Sequence, residues 1–393
     1  MVVRPSLFVR ALLALAVVTG DLSASDRVSI AQRAYELVQQ NFAHWDAAPR
    51  ANVDASFREY MDRARRAPDR HAFDLASLRF IATLRNGHSQ FADALADARP
   101  LKFRLLEVEG EWTVIFSADR QLPRGAVVRT LGGRRVDDVV TELAQYVAAS
   151  NDRMARTHVF SNPLLFPERI SLGLKTGETV VIDRKASAEG APAPNRSQGR
   201  WIEPGRVAYL RIPSFGDPAF EKTALDFVGE HESAAALIVD VRGNGGGATP
   251  ERLIDALQTR PWRTWQQLAP ERIQSRTQSP SANAFAGRVF LLVDRFCGSA
   301  CEDFVMPFKD NHRALLIGEV TQGSSGNPYR ADLGHGIRMA IGAVRYAFPD
   351  GAPFEGVGIR PDIQVDRRLV DIVNGRDAVL ERAQRLVSAD TTR

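Results

Sequence analysis

A serine between two cysteines has the setting of a nucleophile. Ser299 follows an apolar run that ends at Val293, and a predicted helix begins directly after it at Ala300. At a helix N-terminus, free backbone N–H groups and the positive end of the helix dipole stabilise an oxyanion, as acyl transfer requires. A structural role fits the same residues, because Ser299 and Glu302 have the spacing of a capping box. This motif alone leaves both interpretations open.

A glycine-rich segment follows a second apolar run. Four glycines fall within the five positions from Gly243 to Gly247, and Ala248 comes next. Glycines let the backbone present N–H groups to an anion, so Gly246 and Gly247 are candidate oxyanion donors together with Ala300. The spacing also fits a GxGxxA dinucleotide fingerprint, but no convincing acid ends a second strand about 20 residues further on. A plain turn is the third interpretation.

One histidine and one acid are candidate partners for the serine. Of the seven histidines, His88 is the best placed, on a turn after a predicted helix that stops at Asn86-Gly87. Glu355 lies in a turn rich in glycine and proline, where its carboxylate could orient a histidine. Each is weak evidence by itself, since a lone histidine after a helix is usually structural or exposed.

Composition and missing motifs exclude several classes of protein. The chain has 393 residues, 44% hydrophobic and 25% charged, which is ordinary globular composition with room for two or three domains. The net charge is +4 without a long basic run, so no nucleic-acid partner is predicted. GxSxG, HExxH and P-loop motifs are absent, which disfavours an α/β-hydrolase, a zincin and an NTPase. Cys297 and Cys301 lack nearby histidines for a zinc site; they form either a disulfide or two buried thiols.

The first 24 residues have the pattern of a secretory signal peptide. Arg4 and Arg10 give a positive start, Leu12 to Val18 an apolar segment, and small residues follow from Ser23. The apolar run is shorter than the roughly 20 residues that span a bilayer. We therefore expect residues 1–24 to be removed near Ser25, leaving an exported, periplasmic or secreted protein without stable membrane insertion.

Three further regions must position the candidate residues. Residues 26–98 have a helical period of apolar positions, and residues 100–185 combine short β-like runs with one helix, Val136 to Ala149, as in a small α+β module. Strand-like and helix-like segments alternate within residues 200–393, which predicts a mostly parallel sheet covered by helices. The glycine-rich and serine-rich loops then fall at the carboxyl ends of strands, where such sheets bind ligands.

Together these motifs resemble the tail-specific, or C-terminal processing, protease superfamily, including its tricorn-core branch. Four segments carry the resemblance, and it covers nearly all of the mature chain: LRNGHSQF, ALIVDVRGNGGG, VFLLVDRFCGSACEDFVMPFKDNHRALLIGEVTQG and PDGAPFEGVGIRPDIQV. The resemblance implies an α/β fold with a mostly parallel βα core of the crotonase or tail-protease type. It also implies an N-terminal helical region and, less closely matched, a middle module similar to a reduced PDZ-like domain.

The resemblance assigns roles residue by residue. The family nucleophile, three residues before the Glu of S-A-x-E, is Ser299. The lysine of the Ser–Lys branch is replaced here by Ser324, which rules against a Ser–Lys dyad. The tricorn-like branch instead uses a histidine from the helical region and a glutamate from the closing motif, which correspond to His88 and Glu355. Tricorn has a serine before that histidine, whereas this chain has Gly87, so a fourth catalytic member is left open.

The resemblance therefore implies an exported serine endopeptidase that acts on peptide or protein substrates without a cofactor. His88 would take the Ser299 proton near its ordinary pKa of about 6.5, and Glu355 would hold the imidazole and stabilise its charged form. Two alternatives are a non-catalytic protein of the same fold that binds peptides or apolar ligands, and a dinucleotide-dependent enzyme built on the glycine loop.

Overall fold

The computed structural model describes residues 20–185, 196–269 and 272–389. Most of the predicted signal peptide, residues 1–19, lies outside the described residues. Helix α1 (Ala24–Asn41) begins with a capping box, in which the Ser23 hydroxyl and the Asp26 carboxylate each accept the other's backbone N–H. The predicted mature N-terminus therefore falls within the first turn of α1, and a cut there would remove its N-cap.

Three helices and a short strand form the N-terminal region. Ala31, Ala34 and Val38 of α1 are buried in one core with the following helices, as their helical period predicts. The remaining elements are α2 (Arg50–Arg66), α3 (Arg70–Ala82) and β1 (Gln90–Asp93).

The middle region has a core of its own, which includes Trp112, Val140 and Leu172. The helix predicted from Val136 to Ala149 is shorter, because a 3₁₀ turn over Ala144–Tyr146 ends it. The elements are β2 (Phe103–Val108), β3 (Glu111–Ser117), β4 (Val128–Leu131), β5 (Arg134–Arg135), α4 (Val136–Leu143), α5 (Asp152–His158), β6 (Arg169–Leu174) and β7 (Thr179–Asp183). They form a β2-β3 hairpin and a sheet of order β5-β4-β6-β7.

The C-terminal half contains the largest core and most of the strands. Its first elements are β8 (Gln198–Glu203), β9 (Val207–Arg211), α6 (Pro218–Glu230), β10 (Ala236–Asp240), α7 (Glu251–Leu257), β11 (Trp262–Ala269), β12 (Arg272–Gln278) and β13 (Arg288–Val293). The remaining elements are α8 (Ala300–Asp310), β14 (Ala314–Gly318), β15 (Pro328–Gly334), β16 (Ile337–Gly342), β17 (Arg345–Ala347), β18 (Ile363–Gln364), α9 (Leu369–Val373) and α10 (Ala378–Ala389).

A six-stranded sheet of order β18-β14-β13-β10-β9-β8 lies at the centre of this half. Its pairs are parallel from β18 to β9, and β8 is antiparallel to β9. Strands β10 and β13 are adjacent and buried, so the loops at their carboxyl ends meet at one edge of the sheet. The glycine-rich segment follows β10, and the Ser299 turn follows β13.

Two smaller antiparallel sheets, β1-β16-β15 and β12-β11-β17, were not predicted from the sequence. In the first, Ile337, Met339 and Ile341 of β16 are buried in the core of the N-terminal helices. Gln90 of β1 pairs with Ala340 of β16. The turn around His88 is thereby tied to the C-terminal half, just before β1 begins.

None of the helices within the described ranges combines the length and the apolar character needed to cross a membrane.

Candidate active site

Ser299 occupies a strained turn between β13 and α8. Its backbone angles are φ 55° and ψ −131°, a conformation that costs a residue with a side chain about 1–3 kcal/mol. The backbone N–H of Ser299 donates to the carbonyl of Ser324 at 2.6 Å. On either side, Cys297 and Cys301 are fully buried and joined in a disulfide, which decides between the two alternatives left open for these cysteines. The turn is thus constrained from two directions.

His88 lies against Ser299, although 211 residues separate them in the chain. The Nε2 atom of His88 is 2.9 Å from Ser299 Oγ, and the Nδ1 atom is 3.2 Å from Ser324 Oγ. The His88 backbone N–H donates to Asn86 Oδ1 at 3.1 Å. Burial lowers the pKa of His88 to about 4, and the charge of Arg330 acts in the same direction. The imidazole is therefore neutral at pH 7 and can accept a proton.

The sequence predicted that Glu355 holds the His88 ring, but the structure does not show this contact. In the described part of the chain no hydrogen bond or ion pair joins them; the position beside Nδ1 is taken by Ser324 Oγ. The Glu355 carboxylate instead accepts hydrogen bonds from Ser150 Oγ at 2.5 Å, Asn86 Nδ2 at 3.0 Å and the Ser325 N–H at 2.8 Å. Glu355 is therefore connected to His88 through Asn86.

Burial raises the pKa of Glu355 to about 7, while its three hydrogen bonds act in the opposite direction. The group thus changes charge close to neutral pH. Neither Ser150 nor Asn86 was predicted from the sequence to belong to the site. Asn86 stands inside the LRNGHSQF segment that carried the resemblance, so a signal for it existed, whereas nothing in the pattern around Ser150 distinguishes that residue.

Glu302 does not form the capping box with Ser299 that their spacing suggested. The Ser299 side chain caps nothing in α8. The fully buried Glu302 carboxylate accepts hydrogen bonds from Thr321 Oγ1 at 2.5 Å, the Gly323 N–H at 2.8 Å and the Ser324 N–H at 2.7 Å. Burial raises its pKa to about 8, and these bonds oppose the shift. Glu302 therefore holds the loop that lies against His88.

The glycine loop approaches Ser299 closely. A Cβ atom on Gly246 would lie 2.7 Å from the Cβ of Ser299, and a Cβ on Gly247 would lie 2.1 Å from the carbonyl oxygen of Phe215. The Gly246 N–H already donates to Asn244 Oδ1 at 2.9 Å. It is therefore not free to bind an oxyanion, contrary to the expectation from the sequence. The N–H groups of Gly247 and Ala300 have no acceptor among the residues that the structure describes.

The arrangement has the parts that acyl transfer needs. A hydroxyl lies within hydrogen-bond distance of a neutral imidazole, and the flanking segments hold two N–H groups that have no acceptor in the described part of the chain. Across the described ranges, no group of histidine, cysteine, aspartate and glutamate side chains is placed to hold a metal ion.

Comparison with known proteins is consistent with this geometry. The profile of peptidase family S41 matches residues 206–365. A putative tricorn protease homolog 2 from Streptomyces coelicolor is 29% identical over 266 residues, which cover 67% of this chain and 22% of the relative. The carboxyl-terminal-processing protease of Synechocystis is 26% identical over 225 residues, 56% of this chain and 52% of the relative. The chain thus spans only part of the length of these relatives.

Solved structures show the same fold. The structure of mature CPAF complexed with lactacystin superimposes with a TM-score of 0.72 at 14% identity, over 94% of this chain and 98% of the other. The photosystem II D1 C-terminal processing protease gives a TM-score of 0.55 at 19% identity, over 86% and 93% of the two chains. The mixed α/β fold is therefore similar to the fold of these two structures. Residues 206–365 therefore match peptidase family S41, and the chain is similar to tricorn and C-terminal processing proteases.

Proposed function

We propose that this protein is an exported serine peptidase that hydrolyses peptide bonds through an acyl-enzyme formed on Ser299. The observation that carries the proposal is the 2.9 Å distance between Ser299 Oγ and His88 Nε2. This distance is within the range for direct proton transfer from a nucleophile to its base. The names of the relatives, which are tricorn and C-terminal processing proteases, support the same reaction.

In the first half of the reaction, Ser299 Oγ attacks the carbonyl carbon of the scissile peptide bond. His88 Nε2 takes the hydroxyl proton as the Oγ–C bond forms, and the carbonyl oxygen becomes an oxyanion. His88 then gives this proton to the leaving amine as the C–N bond breaks. A water molecule repeats the sequence on the ester, with His88 again as base, and releases the acid and free Ser299.

The N–H groups of Gly247 and Ala300 are the proposed oxyanion donors. They come from two segments that meet beside Ser299, and neither has another acceptor within the described residues. Ala300 is also the first residue of α8, where the helix dipole favours negative charge. Gly246 has a different proposed role, which is to leave room for Ser299, since even one methyl group there would overlap its Cβ.

Glu355 is the proposed acid of a Ser–His–Glu triad, acting on His88 without touching its ring. Its carboxylate accepts from Asn86 Nδ2, and Asn86 Oδ1 in turn accepts the His88 backbone N–H. When ionised, Glu355 would also stabilise the imidazolium through space, because both groups lie in a poorly solvated region. Removal of either effect should slow the reaction.

Two expectations on architecture and location belong to the proposal. Residues 100–185, which have a separate core, are proposed as a reduced PDZ-like module, and the parallel sheet as a crotonase-type core. The apolar segment from Leu12 to Val18 and the buried Cys297–Cys301 disulfide support export to an oxidising compartment. Peptides or proteins are the proposed substrates.

Labelling with a fluorophosphonate probe, followed by intact-mass analysis and mapping of the modified residue, tests the proposal. We expect one adduct, on Ser299, and none on Ser299→Ala. An unlabelled wild-type protein that still binds peptides would instead identify a non-catalytic binding protein of the same fold. Saturable binding of a dinucleotide would favour the cofactor-dependent alternative.

A further inference from the structure

The proposed triad does not include a group that fixes the Nδ1 atom of His88. A catalytic histidine needs its second ring nitrogen fixed, because the proton on that nitrogen decides whether the first is free to accept. Here the only contact recorded for Nδ1 in the described part of the chain is Ser324 Oγ, at 3.2 Å. Glu355 makes its hydrogen bonds elsewhere.

Ser324 contacts both members of the proposed nucleophile–base pair. Its hydroxyl lies beside His88 Nδ1, and its carbonyl accepts the Ser299 N–H at 2.6 Å. The residue is 2% exposed, so its side chain has little freedom. Its own backbone N–H donates to Glu302 at 2.7 Å, which fixes the main chain from the opposite side.

Gly87 gives independent evidence that the Ser324 hydroxyl occupies a defined position. A Cβ atom on Gly87 would lie 2.6 Å from Ser324 Oγ and 3.2 Å from its Cβ. A side chain at position 87 would therefore displace the Ser324 hydroxyl from its position beside His88. The backbone of Gly87 does not have a positive φ, so this contact, and not chain conformation, is what requires glycine there.

We propose that Ser324 is the positioning residue for His88: its hydroxyl accepts the Nδ1 proton and thereby leaves Nε2 unprotonated toward Ser299. This inference rests on the proposed function. If Ser324 donated instead, the ring proton would be on Nε2, and His88 could not act as a base toward Ser299. Ser324, which replaces the family lysine, would thus orient His88 and would not act as a base itself.

The low pKa of His88 agrees with a neutral acceptor at Nδ1. A carboxylate there would favour the imidazolium and raise the pKa, whereas burial lowers it to about 4. Arg330 on β15 faces His88 and lowers its pKa, and His44 interacts with it electrostatically. Within the described residues, Glu355 and Glu302 are joined to His88 through Asn86 and Ser324. A hydroxyl orients the ring without adding charge.

The first test uses kinetics of five variants. Ser324→Ala should lower kcat by roughly 10- to 100-fold with KM unchanged, by analogy with the loss seen when the hydrogen-bond partner of a metal-bound histidine is removed. Ser324→Thr and Ser324→Val have the same shape and differ in the hydroxyl, so only the first should recover kcat. Gly87→Ala should reproduce the Ser324→Ala defect, and the double variant should be no worse than the more damaging single one. Equal kcat values for the Thr and Val variants would overturn the proposal. A double variant whose loss in kcat is the product of the two single losses would also overturn it.

The second test does not depend on turnover. In protein labelled with ¹⁵N-histidine, His88 (identified by its loss in His88→Ala) should carry its proton on Nδ1 at pH 7, and Ser324→Ala should move population to Nε2. An unchanged tautomer would contradict the positioning role even if Ser299 reacts with the fluorophosphonate. Failure of wild-type labelling at Ser299 would instead refute the proposed function. Ser77→Ala removes a hydroxyl that is 1% exposed and bonded to Tyr60, and it should leave both readouts unchanged.

Discussion

The carboxylate of Glu302 accepts the backbone N–H of Ser324 at 2.7 Å, across 22 residues of sequence. Glu302 lies in the first turn of α8, and Ser324 belongs to the loop after β14. The Ser324 carbonyl returns to the N-cap of the same helix by accepting the Ser299 N–H. The two residues therefore close a ring of contacts in which the position of the nucleophile and the position of the loop depend on each other.

Glu302→Ala should destabilise this loop and reduce activity together. The substitution leaves the Gly323 and Ser324 N–H groups and the Thr321 hydroxyl without their acceptor, and each unpaired buried group costs about 1–3 kcal/mol. We expect a total loss of about 3–5 kcal/mol in the free energy of unfolding, measured with urea, and a lower kcat for the folded fraction.

Glu302→Gln is the matched control for that prediction. Burial raises the pKa of Glu302 to about 8, so a neutral side chain already predominates at pH 7. The glutamine variant should therefore be less damaged than the alanine variant in both measurements. If both variants unfold at the wild-type urea midpoint, Glu302 does not support the loop.

Ser299 can be replaced in two ways that separate chemistry from backbone strain. Ser299→Ala and Ser299→Gly both remove the nucleophile, and each should lower kcat/KM by about 10⁴-fold or more. Glycine also tolerates the φ of 55°, so the glycine variant should be more stable than the alanine variant by about 1 kcal/mol. Urea denaturation measures the difference. Equal stabilities would mean that the turn relaxes when the side chain is lost.

The strands and helices that position the site follow from local pattern. Buried runs such as Ala236–Asp240 and Arg288–Val293 and the helix Ala300–Asp310 are recognisable because their apolar residues are continuous or periodic. The hairpin Trp262–Ala269 and Arg272–Gln278 was not predicted, since its residues apart from the buried Trp262 are largely polar, and those from 263 to 268 and from 272 to 278 are partly or fully exposed. A half-exposed strand with glutamine and arginine on its faces shows no clear alternation of apolar and polar residues.

The contacts of the site are less predictable than its residues. His88 and Ser299 were selected by residue type and setting, but their approach depends on β1 pairing with β16, which no local pattern indicates. The S-x-x-E spacing suggested that Glu302 caps its own helix; in the structure its carboxylate is used by a loop about 20 residues further on. Ser324 was noted in the sequence only because it stands where the Ser–Lys branch has a lysine. Its possible role depends on the groups that surround its hydroxyl, and the sequence does not indicate them.

The pH dependence of kcat/KM distinguishes two groups that could control the base. The unprotonated form of His88 is the active one, and burial lowers the pKa of His88 to about 4. Protonation of His88 should therefore reduce kcat/KM only as the pH falls below about 5. The ordinary pKa of about 6.5 expected from sequence would place this limb higher. Glu355 has a pKa near 7, and activity that needs its charge would already fall below pH 7.

Two variants assign the limbs of that profile. Glu355→Gln should abolish any inflection near pH 7 and leave the lower one. Arg330→Gln removes a positive charge that disfavours the imidazolium, so it should raise the pKa of the lower limb. An acid limb that is unchanged by Arg330→Gln and remains near 6.5 would show that His88 is more hydrated than the structure indicates.

Neighbouring glycines provide a paired test of the close approach to Ser299. A Cβ on Gly246 would lie 2.7 Å from the Ser299 Cβ and 2.9 Å from the Ala300 nitrogen, whereas a Cβ on Gly245 would meet nothing within 4 Å. Gly246→Ala should therefore lower kcat by at least about 10²-fold, the loss expected when oxyanion geometry is disturbed. Gly245→Ala should leave kcat unchanged.

Gly247→Ala should behave differently from both of these variants. Its Cβ would lie 2.1 Å from the Phe215 carbonyl oxygen, whereas the contacts at Gly246 are 2.7 Å or longer. Both glycines have a positive φ, 138° at Gly247 and 97° at Gly246, so both variants should lose stability, and Gly247→Ala should lose more. Comparison of kcat per folded molecule with the urea midpoint separates the three cases. Wild-type kcat in Gly246→Ala would mean that the loop moves away from Ser299 without consequence.

Removal of the disulfide should affect catalysis as well as stability. Cys297 and Cys301 are fully buried and enclose the Ser299 turn. In the chain-entropy description, closing a loop of about five residues contributes about 2 kcal/mol, so a Cys297→Ala/Cys301→Ala double variant should lose about that amount in urea denaturation. The φ of 55° at Ser299 is then held only by the Ser324 carbonyl and the neighbouring packing.

The expected kinetic result is a fall in kcat with little change in KM, because the turn carries the nucleophile and the substrate-binding surface is left in place. Dithiothreitol should produce the same loss in the wild type only when urea is present, since both sulfur atoms are shielded from solvent. The double variant should be insensitive to the reductant, which makes it the control. If the variant loses stability but keeps the wild-type kcat, the turn is held by Ser324 and Gly246 alone, and the disulfide has no part in positioning Ser299.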